Sequence, residues 1–402
     1  MGANNKAILI IIDGLGDLTP NSPLQTAKKK NLDRLAKEGI TGMLSTIKRG
    51  IVPGSDTSHL SILGYEPEKY YCGRGPLEAL GVGVQMKEGD VAFRANFATA
   101  QGNNITDRRA GRIDTLISKK LESSLNFDIE DVQCIFKTSV EHRGVLVLRG
   151  SGLSANVSET DSYKTGYSPE SKPLDESKEA KKTARIINAF TKIAREHLEA
   201  HEENRKQEKS GKPKANAILL RGAGNYKKTQ SFMERFGIAA ACVAGGALYR
   251  GIAKYIGMTL VTVDGATGTK DTNLHEKAKE AVLSLRSNDL IFLHIKACDS
   301  FGHDGDPKGK TKMIERIDAE LIPLLAKSGA NLIITGDHST PCARRGHSGH
   351  EVPILIWGNE RQDEVTQFDE QSCMHGGLGH IEGKDLIPII LNLIGKGKKY
   401  GS

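Results

Sequence analysis

The chain has 402 residues, 38% hydrophobic and 26% charged, long enough for two or three packed domains and too balanced for wholesale disorder. Its net charge of +7 is a mild basic excess that suits an anionic substrate or nucleic acid and decides neither. No apolar run approaches the roughly 18 residues of a membrane span, so no membrane partner is expected, and the charged segment at 202–214, without aromatic residues to stack bases, leaves no nucleic-acid partner expected either.

The opening Met-Gly-Ala-Asn-Asn-Lys lacks the ordered basic, apolar and small-residue stretches of a secretion signal. Lys6 stands where a myristoylation motif at Gly2 requires Ser or Thr. The six cysteines (72, 134, 242, 298, 342 and 373) occur singly with no Cys-x-x-Cys pair, which fits reduced thiols in a cytoplasmic protein.

In chain order, Ala7–Ile12 reads as a buried strand, followed by the glycine-rich turn Asp13-Gly-Leu-Gly-Asp17 and a helix through about residues 32–37, a β-turn-α opening. Pro53-Gly-Ser-Asp-Thr-Ser-His-Leu60 is a turn that opens another helix, and Arg74 sits in a Gly-Arg-Gly turn. From about 151 to 214 the chain is polar and rich in Lys, Glu and Ser, and no sheet core fits there. Within it Ala184, Ile187, Phe190, Ala194 and Leu198 mark the apolar stripe of a long helix,. The charged tail at 202–214 carries no aromatic residues to stack bases, so it reads as a solvated helix end.

Strand-then-glycine units follow at 217–224 and 238–246, and Val263–Lys270 is loop-like. Apolar strands return at Leu290–Ile295, Asn331–Thr335 and Val352–Trp357, with a helix between the first two whose Ile314, Ile317, Leu321 and Leu324 recur at helical spacing,. This alternation predicts an α/β fold built on a doubly wound, mainly parallel sheet.

Several predicted strands end in acidic or imidazole residues, where open α/β sheets build their sites: Asp13, Asp299 and the pair Asp337-His338. Any one aspartate alone is equally well a helix cap. The set is different, because four of the twelve histidines, His303, His338, His347 and His350, fall between residues 303 and 350 beside these carboxylates. Aspartate and histidine without thiolate suit zinc, manganese or magnesium, and two such groups suit a two-metal site that clamps a phosphoryl oxygen. Ser55, in the turn before its helix, is either that helix's N-cap or a metal-activated nucleophile.

These residues belong to longer motifs: Ile12-Asp-Gly-Leu-Gly-Asp17, Gly54-Ser-Asp-Thr-Ser-His-Leu-Ser-Ile-Leu-Gly-Tyr65, Gly73-Arg-Gly-Pro-Leu-Glu-Ala-Leu-Gly81, Phe93-Arg-Ala-Asn-Phe-Ala-Thr99, Asp107-Arg-Arg-Ala-Gly-Arg112, Glu141-His-Arg-Gly144 and Thr335-Gly-Asp-His-Ser-Thr-Pro-Cys342. Through them, and over nearly its whole length, the chain resembles the archaeal-type 2,3-bisphosphoglycerate-independent phosphoglycerate mutases of the alkaline phosphatase superfamily.

The resemblance implies an alkaline-phosphatase-like metal domain interrupted by a smaller α/β phosphotransferase domain. With the loop-like stretch near 265 as the return, the expected limits are 1–68 and 265–402 for the first and 69–264 for the second. It implies interconversion of 3-phosphoglycerate and 2-phosphoglycerate, in glycolysis and gluconeogenesis, through a phosphoserine at Ser55. Two divalent ions (Mn2+, Mg2+ or Zn2+) and no bisphosphoglycerate are implied, with Asp299, His303 and His347 holding one ion and Asp13, Ser55, Asp337 and His338 the other.

A small phosphorylated anion calls for arginines, which bind phosphate and carboxylate bidentately. Arg108, Arg109, Arg112 and Arg221 are the expected contacts, with Arg94 and Arg143 as further candidates. The chain departs from the family pattern at Cys373-Met-His-Gly-Gly-Leu-Gly-His380, where members often carry arginines, and at Asp161-Ser-Tyr-Lys164, where Asp-Pro-His-Lys is common. The competing readings are a metal-dependent phosphatase or other phosphotransferase on the same scaffold, and a noncatalytic nucleic-acid binder. No oligomeric state is read from the sequence.

Overall fold

Apolar residues in unbroken succession suit a strand covered on both faces, and Ala7–Ile12 is such a strand, every residue buried. The computed structural model describes residues 5–399 and 401; Gly2, considered above for myristoylation, lies outside them. Among the described residues no helix is long and apolar enough to cross a membrane.

The chain forms two compact units, one from the chain up to Tyr71 together with the chain from Gln230 onward, the other from Cys72–Thr229. The first opens with β1 (Ala7–Ile12) and β2 (Ile40–Ser45). The second holds β3 (Val91–Gln101), β4 (Asn104–Asp107), β5 (Phe127–Ile129), β6 (Val132–Thr138), β7 (Arg143–Arg149), β8 (Gly166–Tyr167) and β9 (Ala217–Asn225). The first unit resumes with β10 (Ala240–Val243), β11 (Thr259–Leu260), β12 (Leu290–Ile295), β13 (Asn331–Thr335), β14 (Val352–Trp357) and β15 (Gly379–Glu382).

In the first unit the eight-stranded sheet runs β11-β10-β12-β1-β13-β14-β2-β15. It is parallel except at β14, which lies antiparallel to both β13 and β2. The expected helix between β12 and β13 runs from Pro307 to Ala326 through a π turn at Ile317–Leu321. It buries Ile314, Ile317 and Leu321, while Leu324 is only partly covered.

The expected inserted domain, 69–264, is too long at its second limit. The chain returns at Gln230 because the apolar β10 pairs in parallel with β12, from Ala240 opposite Leu290 to Val243 opposite Leu293. The loop-like stretch near residue 265 therefore follows β11, inside the first unit.

The second unit is built on antiparallel strands centred on β3, which pairs with β4, β7 and β9. The helix Lys178–Ala200 starts at Ser177, whose hydroxyl accepts from the Ala180 amide, a serine N-cap. Its predicted stripe, Ala184, Ile187, Phe190, Ala194 and Leu198, is buried in this unit's core. Arg74 is the first residue of the helix Arg74–Gly81 rather than part of a turn. There it shares the Glu78 carboxylate with Arg94, at 2.9 and 2.8 Å.

His142, just before β7, is buried, and its Nδ1 makes no hydrogen bond. Burial, reinforced by the charges of Arg143, Arg109 and Arg112, lowers its pKa to about 4. An unfolded histidine binds its proton near 6.5, so between those values the unfolded chain holds more protons and stability falls as pH falls. Thermal melts of the full chain from pH 6.5 toward 4 should therefore show a larger loss of Tm in the wild type than in His142→Gln.

Candidate active site

The register of the parallel strands assembles the site. Ile12 lies opposite Ile295 and Ile11 opposite Thr335, so Asp13, Lys296, Asp299, Asp337 and His338 all leave the carboxyl ends of the adjacent strands β12, β1 and β13, where such sheets place their ligands. Asp13, Asp299, Asp337 and His338 are buried. The turn after β1 depends on Gly14, whose φ is +65° and where a Cβ would lie 2.7 Å from the Asp299 Cα.

Ser55 opens the helix Ser55–Ile62 as its first residue; the N-cap is Gly54 and no side chain caps it. The cap reading of Ser55 therefore fails. Its Oγ lies 3.0 Å from His338 Nε2 instead. That nitrogen also lies 3.1 Å from Asp337 Oδ2 and 3.6 Å from Asp13 Oδ1, so three oxygens converge on one imidazole position. The other ring nitrogen, Nδ1, contacts Thr340 Oγ1 at 3.0 Å, and that hydroxyl lies 2.8 Å from Asp299 Oδ1. A carboxylate only accepts. The threonine proton therefore goes to Asp299, Nδ1 donates to the threonine oxygen, and Nε2 faces the converging oxygens.

His347 and His303 are held the same way. Their Nδ1 atoms donate to the carbonyls of Pro53 and Arg345, at 2.9 and 3.1 Å. Their Nε2 atoms each lie 3.4 Å from Asp299 Oδ1. An imidazole so tied faces a carboxylate either as an imidazolium or as a ligand to a shared cation, and tethering the outer nitrogen is what metal-ligating histidines do.

Potential ligand atoms gather into two groups, Asp13 with Asp337 and His338, and Asp299 with His338 and His347, each within 4.8 Å of one another. His338 belongs to both. His303 stands at the margin of the second group, its side chain 45% exposed.

Two observations show that divalent cations fit. Asp337 Oδ2 is buried without a hydrogen-bond donor, and three inward-turned imidazoles face buried carboxylates without thiolate, a donor set for zinc or manganese. Burial would raise Asp299, but His303, His347 and Lys296 outweigh it and hold the carboxylate well below its usual range. Burial would lower His338, but Asp337 and Asp13 hold it above its ordinary value.

Three residues at the site were not foreseen. His294, the one polar side chain in β12, lies with Nε2 3.1 Å from Asp13 Oδ2. Lys296, directly after that strand, contacts Asp13 and Asp299 at 3.2 and 2.5 Å. Tyr249 donates its hydroxyl to Asp13 Oδ2, although the limits expected from the sequence place it in the inserted domain. His59 shares its helix with Ser55 and donates from Nδ1 to the Ser55 carbonyl at 2.6 Å. His350, counted in the sequence cluster, contacts Ser348 Oγ and belongs to neither ligand group.

The arginines lie in the second unit. Arg108 grips the Asp161 carboxylate with two bonds, at 2.9 and 2.7 Å, and Arg221 approaches it at 3.7 Å. Both guanidiniums lie over the Tyr163 ring, at 5.6 and 5.5 Å. Arg109 and Arg112 are exposed, and their charges act on His142 together with that of Arg143. Arg94 is committed to Glu78.

Gly14→Ala should destabilise the chain by about 1–3 kcal/mol, the scale of a strained backbone position. Gly50, at φ +78° with nothing within 4 Å of an added Cβ, should lose less on the same change. Denaturant unfolding of the two variants checks the difference.

Residues 36–204 match the model of the family described as 2,3-bisphosphoglycerate-independent phosphoglycerate mutase. A Methanocaldococcus jannaschii protein of that name, numbered 1, is 46% identical over 99% of both chains. An Archaeoglobus fulgidus protein of the same name is 46% identical over 98% of this chain and 99% of its own. Among solved structures, a Pyrococcus horikoshii protein superposes with a TM-score of 0.86 at 37% identity, covering 99% of each chain. The cofactor-independent phosphoglycerate mutase of Thermoplasma acidophilum does so at 0.70 and 33% identity, covering 98% of this chain and 100% of its own. With relatives this similar over nearly their full length, the chain belongs to the 2,3-bisphosphoglycerate-independent phosphoglycerate mutase family.

Proposed function

We propose that the chain interconverts 3-phosphoglycerate and 2-phosphoglycerate by passing the phosphoryl group through Ser55, without bisphosphoglycerate. The observation that carries this reading is the Ser55 hydroxyl, free of any capping role and 3.0 Å from the His338 nitrogen on which two carboxylates also converge. Asp13, Ser55, Asp337 and His338 would hold one divalent ion, and Asp299, His303 and His347 the other. Bound there, the ions supply a lowered hydroxyl pKa and charge neutralisation on the transferring group.

The protein's own part is positional. The first turn of the helix Ser55–Ile62 aims Oγ at phosphorus; as the bond from Oγ to phosphorus forms and the bond from phosphorus to the glycerate 3-oxygen breaks, the Oγ–H bond also breaks and its proton ends on the departing 3-oxygen. The retained glycerate then presents its 2-oxygen to the phosphoserine, and the second transfer restores Ser55. Water must be kept from the phosphoserine, since hydrolysis would make the enzyme a phosphatase.

Arg109 and Arg112 are suited to the substrate's anionic groups because their guanidiniums are exposed. Arg108 and Arg221, gathered on Asp161 and Tyr163, add a second cationic edge. Small phosphorylated anions are thus the substrate class.

Chelator-stripped protein should form 2-phosphoglycerate from 3-phosphoglycerate only when Mn2+ is restored, with no bisphosphoglycerate present, and Ser55→Ala should form none. Release of inorganic phosphate in place of 2-phosphoglycerate would establish a phosphatase instead. Arg109→Ala and Arg112→Ala should each raise KM about tenfold or more, the scale of one charged hydrogen bond, with Tm unchanged; steady-state kinetics and melting curves check this.

A further inference from the structure

Tyr249, His294 and Lys296 all bear on Asp13, and they are unevenly shared between its two oxygens. Its Oδ2 takes the Tyr249 hydroxyl and lies 3.1 Å from His294 Nε2. Lys296 Nζ stands 3.2 Å from Oδ2 and 3.3 Å from Oδ1, and also joins Asp13 to Asp299. Only Oδ1 is turned toward His338 Nε2, at 3.6 Å. Tyr249 is nearly fully buried and stacks on His294 with ring centroids 3.4 Å apart. His59 packs against both rings, at 4.9 and 5.2 Å.

A buried tyrosine hydroxyl needs a partner, and a carboxylate oxygen already held by two side-chain donors is a poor ligand for a cation. We infer that Tyr249 and His294 are positioning residues that hold Asp13 Oδ2 and so fix Asp13 as a one-oxygen ligand, through Oδ1, of the metal shared with Ser55, Asp337 and His338. This rests on the two-metal reading given above. Neither residue touches substrate in this account; both act through Asp13. A single Asp13 oxygen directed at the cation would leave room beside it for the Ser55 hydroxyl and a phosphoryl oxygen.

The test is Mn2+ binding to the chelator-stripped full chain, read by electron paramagnetic resonance titration without substrate. Partners that orient a metal ligand typically contribute 10–100-fold in affinity. Tyr249→Phe, which keeps the ring on His294, should weaken one of two Mn2+ sites by about that factor and leave the other within about twofold. Its activity should recover at saturating Mn2+, and Tyr249→Phe should add no further loss in an Asp13→Asn background. His294→Gln gives the same reading should the phenylalanine variant fail to fold.

Unchanged affinity at both sites, or a kcat that stays low at saturating Mn2+ while binding is normal, would overturn the inference. A wild type that binds two Mn2+ and loses one site in Tyr249→Phe, yet makes no 2-phosphoglycerate, would sink the mutase reading and leave this one standing. A wild type that binds no Mn2+ would sink both.

Discussion

Three carboxylates, Asp13, Asp299 and Asp337, are buried at the ends of adjacent strands in one unit, and a buried carboxylate persists only when charge and donors compensate it. The surroundings follow from that constraint. Three imidazoles are tied at Nδ1 and turned inward at Nε2, Lys296 spans two of the carboxylates, and Gly14 lets the first turn pass close to Asp299. An all-apolar site of the same shape would be easier to fold. The polar set instead gathers ligand atoms on His338, which the Ser55 hydroxyl also contacts.

The second unit meets a different demand. It carries guanidiniums within its strands, as at Arg94 and Arg221, and in the segment after β4, some committed to carboxylates, as Arg94 is to Glu78 and Arg108 to Asp161, and others exposed, as Arg109 and Arg112 are. Committed arginines shape the surface and hold buried acids. Exposed ones keep their donors in solvent. His142, kept neutral by burial among these charges, adds no further positive charge at neutral pH.

Much of this was legible in the residues because the decisive signals were local. Continuous apolar runs marked β1, β12, β13 and β14 at their observed limits, and the polar residues just beyond them marked the site. The stripe from Ala184 to Leu198 marked the long helix. What escaped was information carried by pairing. Ala240–Val243 reads as a strand, but only its partner β12 shows to which unit it belongs. Tyr249, in the segment after it, was therefore assigned away from the site it helps to build.

A single histidine in an apolar strand is most often core, and the role of His294 appears only when β1 brings Asp13 beside it. Ser55 was ambiguous for the opposite reason: a serine opening a helix has two uses, and only the position of His338 distinguishes them. The antiparallel direction of β14 likewise has no signature in its own residues.

That the two clusters are the seats of two divalent cations, one of them beside Ser55, is most directly tested by anomalous diffraction from crystals soaked in Mn2+. The account predicts two peaks, one bounded by Asp13, Ser55, Asp337 and His338 and the other by Asp299, His303 and His347. A single peak, or manganese bound away from Ser55, would contradict it.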